Sequence, residues 1–232
     1  MRSSSPIRVP RSGRAPAGPI PSATSTRHRI LFETSNLIAE RGYHGTSTRE
    51  IARAVGIRQP SLFHHFPSKD AIVQDLLSFD LDEAVPFAEA MAASPGEPSV
   101  RLYRYLRRDL LHLIGSPYNL SGLYTEEIMA QPAFAPWARK RDRLHRAIER
   151  IVRQGVERGE FVDMPPRLVR EAITGILIRT LTLFSGRRVE AEAGVPDQIA
   201  SFVLRAILAD PSELQRVRER AGSVADLAGA RP

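Results

Sequence analysis

Four polar side chains lie close together in the run GIRQPSLFHHFPSKD, which extends from Gly56 to Asp70. Arg58 and Gln59 carry hydrogen-bond groups in planar arrangements that match the edges of guanine and adenine. Ser61 and His64 follow within the next turn and a half and add a hydroxyl and an imidazole. Together on the outer face of a short helix, these groups are typical of a surface that contacts the DNA major groove.

The residues around this run predict the helices that position it. Ser47 and Glu50 have the spacing of a capping box, so a helix is predicted to begin at Thr48. Gly56 ends that helix because glycine tolerates a left-handed backbone. Pro60 suits the first turn of the next helix, where a missing N–H has little cost. Two short helices joined by a glycine turn form a helix-turn-helix.

A further helix is predicted on each side of this motif. Ile30 and Ile38 belong to an amphipathic helix that is stopped at Gly42, and Ser68 caps a further helix that begins at Lys69. Three helices form the smallest self-supporting core for this motif. We therefore predict a helix-turn-helix DNA-binding domain over residues 26–72.

The run RHRILFETSNLIAERGYHGTSTREIARAVGIRQPSLFHHFPSKDAI resembles the DNA-binding domain of the tetracycline-repressor (TetR) family of bacterial regulators. The matching positions include Gly42-Tyr43, Thr46, Ile51-Ala52, Gly56, Leu62, Phe66, Ser68 and Lys69. Two positions depart from the family pattern. Phe63 stands where the family usually has Tyr, which removes a phosphate-contacting hydroxyl, and Arg58 stands where a small polar residue is common.

Specific contacts can be expected for this DNA-binding surface. Gln59 can bond bidentately to adenine, and Arg49 or Arg58 to guanine. Contacts with DNA phosphates are expected from Thr48, His64 and Lys69, which lie near helix N-termini or in the recognition helix. Pro60 and Ser61 offer an apolar contact and a hydroxyl near the groove floor. The alternative for Arg49 and Arg58 is an exposed charge on a solvated face.

Composition agrees with a polyanionic partner. The chain has 33 Lys and Arg against 26 Asp and Glu, a net charge of +7 and a pI near 10.4. It has no cysteine, hence no disulfide and no thiolate metal site, and no apolar run approaches a membrane span of about 20 residues. We predict a cytoplasmic protein without a cofactor, a metal site or a membrane partner.

The first 25 residues form a basic extension rich in Pro, Ser, Gly and Ala, with no acidic residue before Glu33. Such a composition cannot bury a core, so disorder is predicted. The extension is either a solubilising tail or an arm that follows the DNA minor groove, as basic arms do in other helix-turn-helix proteins.

Beyond the helix-turn-helix the pattern predicts helices only, giving an all-α fold with a ligand-binding and dimerisation domain over residues 73–210 and a flexible tail over residues 211–232. The predicted helices are 69–93 with a bend at Pro86, 99–114, 120–130, 135–158, 166–184 and 196–208. The family resemblance implies a homodimer through the last two, and Gln198, Phe202 and Arg205 recur on one stripe of the second of them. The alternative is a monomer in which these helices only complete the core.

Polar residues on apolar helix faces are the candidates for ligand contacts. Asp109 and Arg179 lie on the apolar stripes of their helices that face the core. A buried charge needs a partner, and that partner is either a ligand or the other member of a structural ion pair. His145 is either a ligand contact or a satisfied core histidine. Aromatic walls are expected from Tyr103, Trp137 and Phe184, unless these are only core residues.

The predicted function is a sequence-specific transcription regulator, with repression as the default. A homodimer would bind an inverted-repeat operator in double-stranded DNA and be released by a small, partly apolar effector of an aromatic or phenolic type. One alternative is an effector-independent architectural DNA-binding protein. An enzyme using Asp109, His145 and Glu126 or Glu127 is disfavoured, since the sequence has no cofactor loop, HExxH spacing or nucleophile elbow.

Overall fold

The computed structural model describes residues 25–184 and 194–222. The predictions made for residues 1–24, including a DNA-following arm, therefore lie outside the described residues. Within the described ranges the regular elements are helical, apart from an isolated bridge between Phe161 and Leu208, which confirms the predicted all-α fold. The α-helices are α1 (Thr26–Arg41), α2 (Thr48–Val55), α3 (Gln59–His65), α4 (Lys69–Ala93), α5 (Pro98–Gly115), α6 (Glu126–Met129), α7 (Ala135–Glu157), α8 (Pro166–Phe184), α9 (Val195–Ile207) and α10 (Leu214–Ala221).

The capping pattern of α2 and α3 is as the sequence predicts. Ser47 and Glu50 form the capping box, with each side chain bonded to the other residue's backbone N–H. Gly56 adopts a left-handed backbone (φ 75°, ψ 33°) and its N–H returns to Ala52. Pro60 lies in the first turn of α3. These local signals fix where the recognition helix begins and how it leaves the turn.

Helix α4 connects the helix-turn-helix to the rest of the molecule. The Ser68 side chain accepts a hydrogen bond from the backbone N–H of Ala71 and so caps the helix, which continues without interruption through Pro86. Along its length α4 packs against α7, where Arg143 bonds bidentately to Glu89. The bend at Pro86 stays a prediction. Helix α4 therefore packs against helices of both halves of the protein, α1 in the DNA-binding half and α7 in the other.

The segment between α5 and α7 differs from the single helix predicted for residues 120–130. It forms a 3₁₀ turn at Leu120–Gly122 and then α6, separated by an extended Thr125. Gly122 lies against α1 so closely that a Cβ there would come within 2.9 Å of the Ala39 backbone. This contact with α1 interrupts the helix, and the segment thereby touches the DNA-binding half.

The prediction of a flexible tail from residue 211 is wrong for residues 211–222. Helix α10 buries Leu214, Val217 and Ala221. The Arg107 guanidinium donates to the carbonyl of Gly222 at 2.6 Å, so the end of α10 is bonded to α5. The charged residues of α10 mask this apolar stripe in the sequence. Residues 223–232 lie outside the described part of the chain.

None of the helices in the described ranges is long and apolar enough to cross a membrane.

Candidate DNA interface and effector cavity

Helix α3 presents the predicted polar residues outward. Arg58, Pro60 and His64 are exposed, and Gln59 and Ser61 are partly buried. Leu62 is fully buried and anchors the helix to the core. The surface therefore offers a mixture of donors and apolar contacts of the kind that enters a major groove.

Gln59 and Thr48 form one unit on this surface. The Gln59 side-chain amide donates to the Thr48 hydroxyl at 3.0 Å, across the turn between α2 and α3. This contact restricts the rotation of the Gln59 side chain, while its carbonyl oxygen and second N–H remain for other partners. Arg49, beside Thr48, is exposed. A fixed amide loses less entropy on binding than a freely rotating one.

Lys69 has a structural position that the sequence did not indicate. Its ammonium donates to the backbone carbonyls of Tyr43 at 2.6 Å and Thr46 at 2.8 Å, and lies 3.8 Å from the centre of the Tyr43 ring. Burial lowers the pKa of Lys69, while the nearby Asp70 and Glu127 oppose that effect. Two of its three N–H donors are thus engaged within the protein, and one remains for the predicted phosphate contact.

Tyr43 ties the turn after α1 to the first turn of α4. Its hydroxyl donates to Asp70, and its ring packs edge-on against Phe134 at 5.6 Å between centroids. Burial, followed by the hydrogen bond to Asp70, raises the pKa of Tyr43 well above its usual value. With Lys69, this contact holds the helix-turn-helix against α4.

A cavity of about 450 Å³ lies between α4, α5, α7 and α8, with Tyr124 and Glu126 completing the wall. Such a volume is within the range that small-molecule sites occupy. Its apolar lining comes from four helices: Ala84, Leu113, Leu144, Ile148, Leu177, Ile178 and Leu181. Its charged lining includes acidic residues of α4 and α5 and basic residues of α7 and α8.

Asp109 and His145 line this cavity, and the other four predicted ligand residues do not. Tyr103 is fully buried and faces α9, where its hydroxyl donates to Asp197 at 2.9 Å. The Trp137 indole donates to Ser78 at 2.9 Å, on the α4 face of α7. Phe184 is buried at the end of α8 outside the cavity wall. These aromatic residues therefore contribute to packing.

The prediction that Arg179 points into the core is wrong. Arg179 is exposed, as are Ala172 and Gly175 on the same side of α8. Helix α8 carries apolar residues on more than one side, so the pattern did not fix which stripe faces inward. The stripe that is buried is shifted by one residue from the predicted one, and it brings Arg170 to the cavity. Its members are Val169, Arg170, Ile173, Leu177, Thr180, Leu181 and Phe184.

The end of the cavity beside α4 and α5 is acidic and buried. Asp80 accepts a hydrogen bond from the Tyr124 hydroxyl, and its other oxygen lies 3.3 Å from the His112 ring. Burial, followed by the charge of Asp80, raises the pKa of Asp109 to about 7. The Tyr105 hydroxyl is buried and has no hydrogen-bond partner within the described residues. Asp80, Tyr105 and Tyr124 were not among the ligand residues predicted from the sequence.

The opposite wall, from α7 and α8, is basic. Arg141 is paired with Glu126 and Asp142, and Arg170 with Glu149 and Glu171. Arg167 is exposed at the cavity edge and has no partner among the described residues. Desolvation lowers the pKa of His145 to about 4, with Arg170 and Arg141 as the next causes, so its imidazole is neutral. In the sequence, the position of Arg167 directly after Pro166, at the start of α8, was the feature that could have indicated a cationic group at this end of the helix.

Family comparison assigns both halves of the chain. Residues 30–76 match the family of bacterial regulatory proteins of the TetR type, and residues 95–207 match a tetracycline-repressor-like C-terminal domain. The chain belongs to the TetR family of DNA-binding transcriptional regulators. It is a transcriptional repressor of this family, and members of the family are DNA-binding transcription factors rather than enzymes.

Individual relatives agree with this assignment. The HTH-type transcriptional repressor KstR2 of Mycobacterium tuberculosis is 28% identical over 155 residues, covering 63% of this chain and 77% of that protein. AmtR of Mycobacterium smegmatis has a TM-score of 0.72 at 27% identity, covering 92% and 99% of the two chains. AibR in complex with isovaleryl coenzyme A and operator DNA shares the fold, with a TM-score of 0.62 at 19% identity and coverage of 80% and 99%.

Proposed function

We propose that this repressor acts in the cytoplasm as a homodimer on an inverted-repeat operator, and that a small effector entering the cavity releases it. The observation that carries the proposal is the cavity itself, whose wall includes α4, the helix that begins directly after the helix-turn-helix. A ligand that favours one position of α4 changes the separation of two recognition helices. Those helices must lie about 34–36 Å apart to enter successive major grooves.

The dimer is supported by the exposed face of α9. Phe202 is 65% exposed, and Gln198 and Arg205 are exposed on the same stripe. An exposed aromatic residue between polar groups is typical of a surface that is buried by a partner. On α8 the exposed face adds the large apolar side chain of Leu168 together with Ala172 and Gly175, and the small size of the last two permits close approach of another helix. A second copy of the chain is the proposed occupant of both faces.

Release by an effector has an energetic requirement. The effector must bind more tightly to the conformation of the protein that does not bind DNA. To change the ratio of DNA-binding to non-binding conformations from 99:1 to 1:99, this preference must be about 5.5 kcal/mol. The proposed effector is small and partly apolar, since the cavity lining combines apolar side chains with charged and polar ones.

A cavity-filling variant tests this proposal. Thr174 lines the cavity and is partly buried, so Thr174→Phe fills part of the space in which an effector would bind. We expect the variant to bind the operator as a dimer but to resist release by compounds that displace the wild-type protein, measured by fluorescence anisotropy of a labelled duplex. Equal release of both proteins would place the effector site elsewhere. A protein that binds duplex DNA without sequence preference would support the architectural alternative.

A further inference from the structure

The two polar ends of the cavity differ in charge and come from different helices. The acidic residues Asp80 and Asp109 come from α4 and α5, and the basic residues Arg141, Arg167 and Arg170 come from α7 and α8. Apolar side chains from the same four helices complete the lining. A ligand that fills this space therefore meets acceptors at one end and guanidinium donors at the other.

Carboxylates also line the basic wall. The exposed fraction of each charged side chain decides whether positive or negative charge dominates inside the cavity. The side chains of Arg170 and Arg141 are 8% and 22% exposed, whereas those of the lining carboxylates Asp142, Glu171 and Glu126 are 48%, 54% and 87% exposed. Glu149, which also pairs with Arg170, is 23% exposed but does not line the cavity. Water screens the exposed carboxylates more strongly than the covered guanidinium groups. The neutral His145 agrees, since Arg170 and Arg141 outweigh Glu171 and Asp142 in lowering its pKa. This end favours an anion.

The acidic end favours a hydrogen-bond donor. Asp109 is buried, and among the described residues the Tyr105 hydroxyl is the side-chain donor that acts on it, with a geometry short of a regular hydrogen bond. A buried carboxyl group without a full set of partners gains most from a ligand that supplies an N–H or O–H. The Tyr105 hydroxyl, itself unpartnered, lies in the same wall.

We infer that the effector is a bifunctional molecule with a carboxylate at one end and a hydroxyl or amine at the other, joined by an apolar body. The carboxylate binds the guanidinium groups of Arg167, Arg170 and Arg141. The hydroxyl or amine donates to Asp109. This inference rests on the proposed function, because it specifies the ligand of the same cavity.

The test uses matched probes: ω-hydroxy and ω-amino carboxylates of graded chain length, 3-(4-hydroxyphenyl)propanoate, and for each an analogue without the carboxylate (its methyl ester) and one without the donor. Binding to the full-length protein is measured by calorimetry. We expect loss of either end to weaken binding by about tenfold or more, as for hydrogen bonds to charged groups. A preference between hydroxyl and amine probes identifies the donor.

Two variants assign each end of the ligand to its residue. Arg167→Gln should weaken binding of the acids and leave binding of the methyl esters unchanged. Asp109→Asn should weaken binding of hydroxyl or amine probes and leave the donor-free acids unchanged. The matched controls are Arg150→Gln, on α7 outside the cavity, and Asp163→Asn, an exposed carboxylate. Circular dichroism checks that every variant is folded.

The inference is overturned if the acids and their esters bind equally well, if each variant weakens all probes alike, or if no probe binds. Operator binding is measured with the same preparations. A protein that binds its operator but none of the probes would retain the proposed function and exclude this effector class. Absence of sequence-specific DNA binding would refute the proposed function, whatever the probes do.

Discussion

The Glu127 carboxylate accepts a hydrogen bond at 2.9 Å from the backbone N–H of His44, in the turn that joins α1 to α2. Its neighbour on α6, Glu126, lines the cavity. Two adjacent residues of one short helix thus contact the candidate effector site and the DNA-binding domain. Together with the contact between Gly122 and α1, they provide a second connection between the halves besides α4.

Removing the Glu127 carboxylate should weaken the coupling between effector and operator. For Glu127→Ala we expect operator affinity without effector to stay close to that of the wild type, and the coupling free energy to fall by about 0.5–2 kcal/mol. It is obtained from operator titrations with and without a compound that releases the wild-type protein. Glu157→Ala, an exposed glutamate at the end of α7, is the control. Unchanged coupling in Glu127→Ala would show that the hydrogen bond between Glu127 and His44 does not carry the coupling.

Gln59→Ala should relax base preference at a single position of the operator half-site, at a cost of about 1–3 kcal/mol. Thr48→Val removes the hydroxyl that holds the Gln59 amide at 3.0 Å and should reduce the same preference less. Competition between duplexes that differ at each position measures both effects. Gln215→Ala, on the exposed face of α10, is the control. Unaltered specificity in Gln59→Ala would show that a different face of α3 enters the groove.

Lys69 should contribute to stability as well as to DNA affinity. Lys69→Met leaves the carbonyls of Tyr43 and Thr46 without their charged donor, so we expect a loss of about 1–3 kcal/mol in the free energy of unfolding. Lys140→Met provides the control, since Lys140 makes an exposed ion pair with Asp82. Urea denaturation measures both. If Lys69→Met lowers DNA affinity at wild-type stability, the residue serves as a phosphate contact alone.

Phe202→Glu should disrupt the proposed dimer. A carboxylate at the centre of a buried face lacks a partner, and removing water from it costs several kcal/mol. We expect sedimentation to show a monomer, and binding to an inverted repeat to weaken towards that of a single half-site. The control, Gln215→Glu, adds the same charge on α10 and should sediment with the mass of the wild-type dimer. A Phe202→Glu protein that remains dimeric would place the interface on another surface.

Asp109 should make stability depend on pH. Its pKa is about 7 in the folded protein against about 3.9 for an unfolded aspartate, so the folded state holds a proton that the unfolded state loses. Between these values stability falls as pH rises. Asp109→Asn lacks this penalty and should be more stable than the wild type by about 1–3 kcal/mol at pH 8, a difference that disappears near pH 4. Thermal unfolding across this range measures it, with Asp163→Asn as the control.

The DNA-binding half could be predicted closely because its signals are local. Ser47, Glu50, Gly56 and Pro60 act through capping and backbone preference within a few residues, and each occupies its predicted position. The exposure of the predicted contact residues follows from the same local structure. Their contacts with DNA stay predictions.

The cavity could be predicted only in part because it depends on which sides of several helices meet. Asp109 lies among apolar residues of one clear stripe and was placed correctly. Arg179 and Arg170 belong to α8, which is apolar on more than one side, and an error of one residue turns a helix by about 100°. Tyr103 is buried as expected but against α9, a pairing between distant segments that no local pattern specifies.

Selection of bound sequences from a library of short duplexes, at fixed near-physiological salt, is the direct test of site-specific DNA binding by this protein. The proposed function predicts enrichment of one inverted repeat, with half-site centres about one helical turn or a multiple of it apart, bound by a dimer. Uniform, strongly salt-dependent binding without a preferred site would contradict it. That result would mean that phosphate contacts dominate and that Gln59 and Arg58 do not read bases.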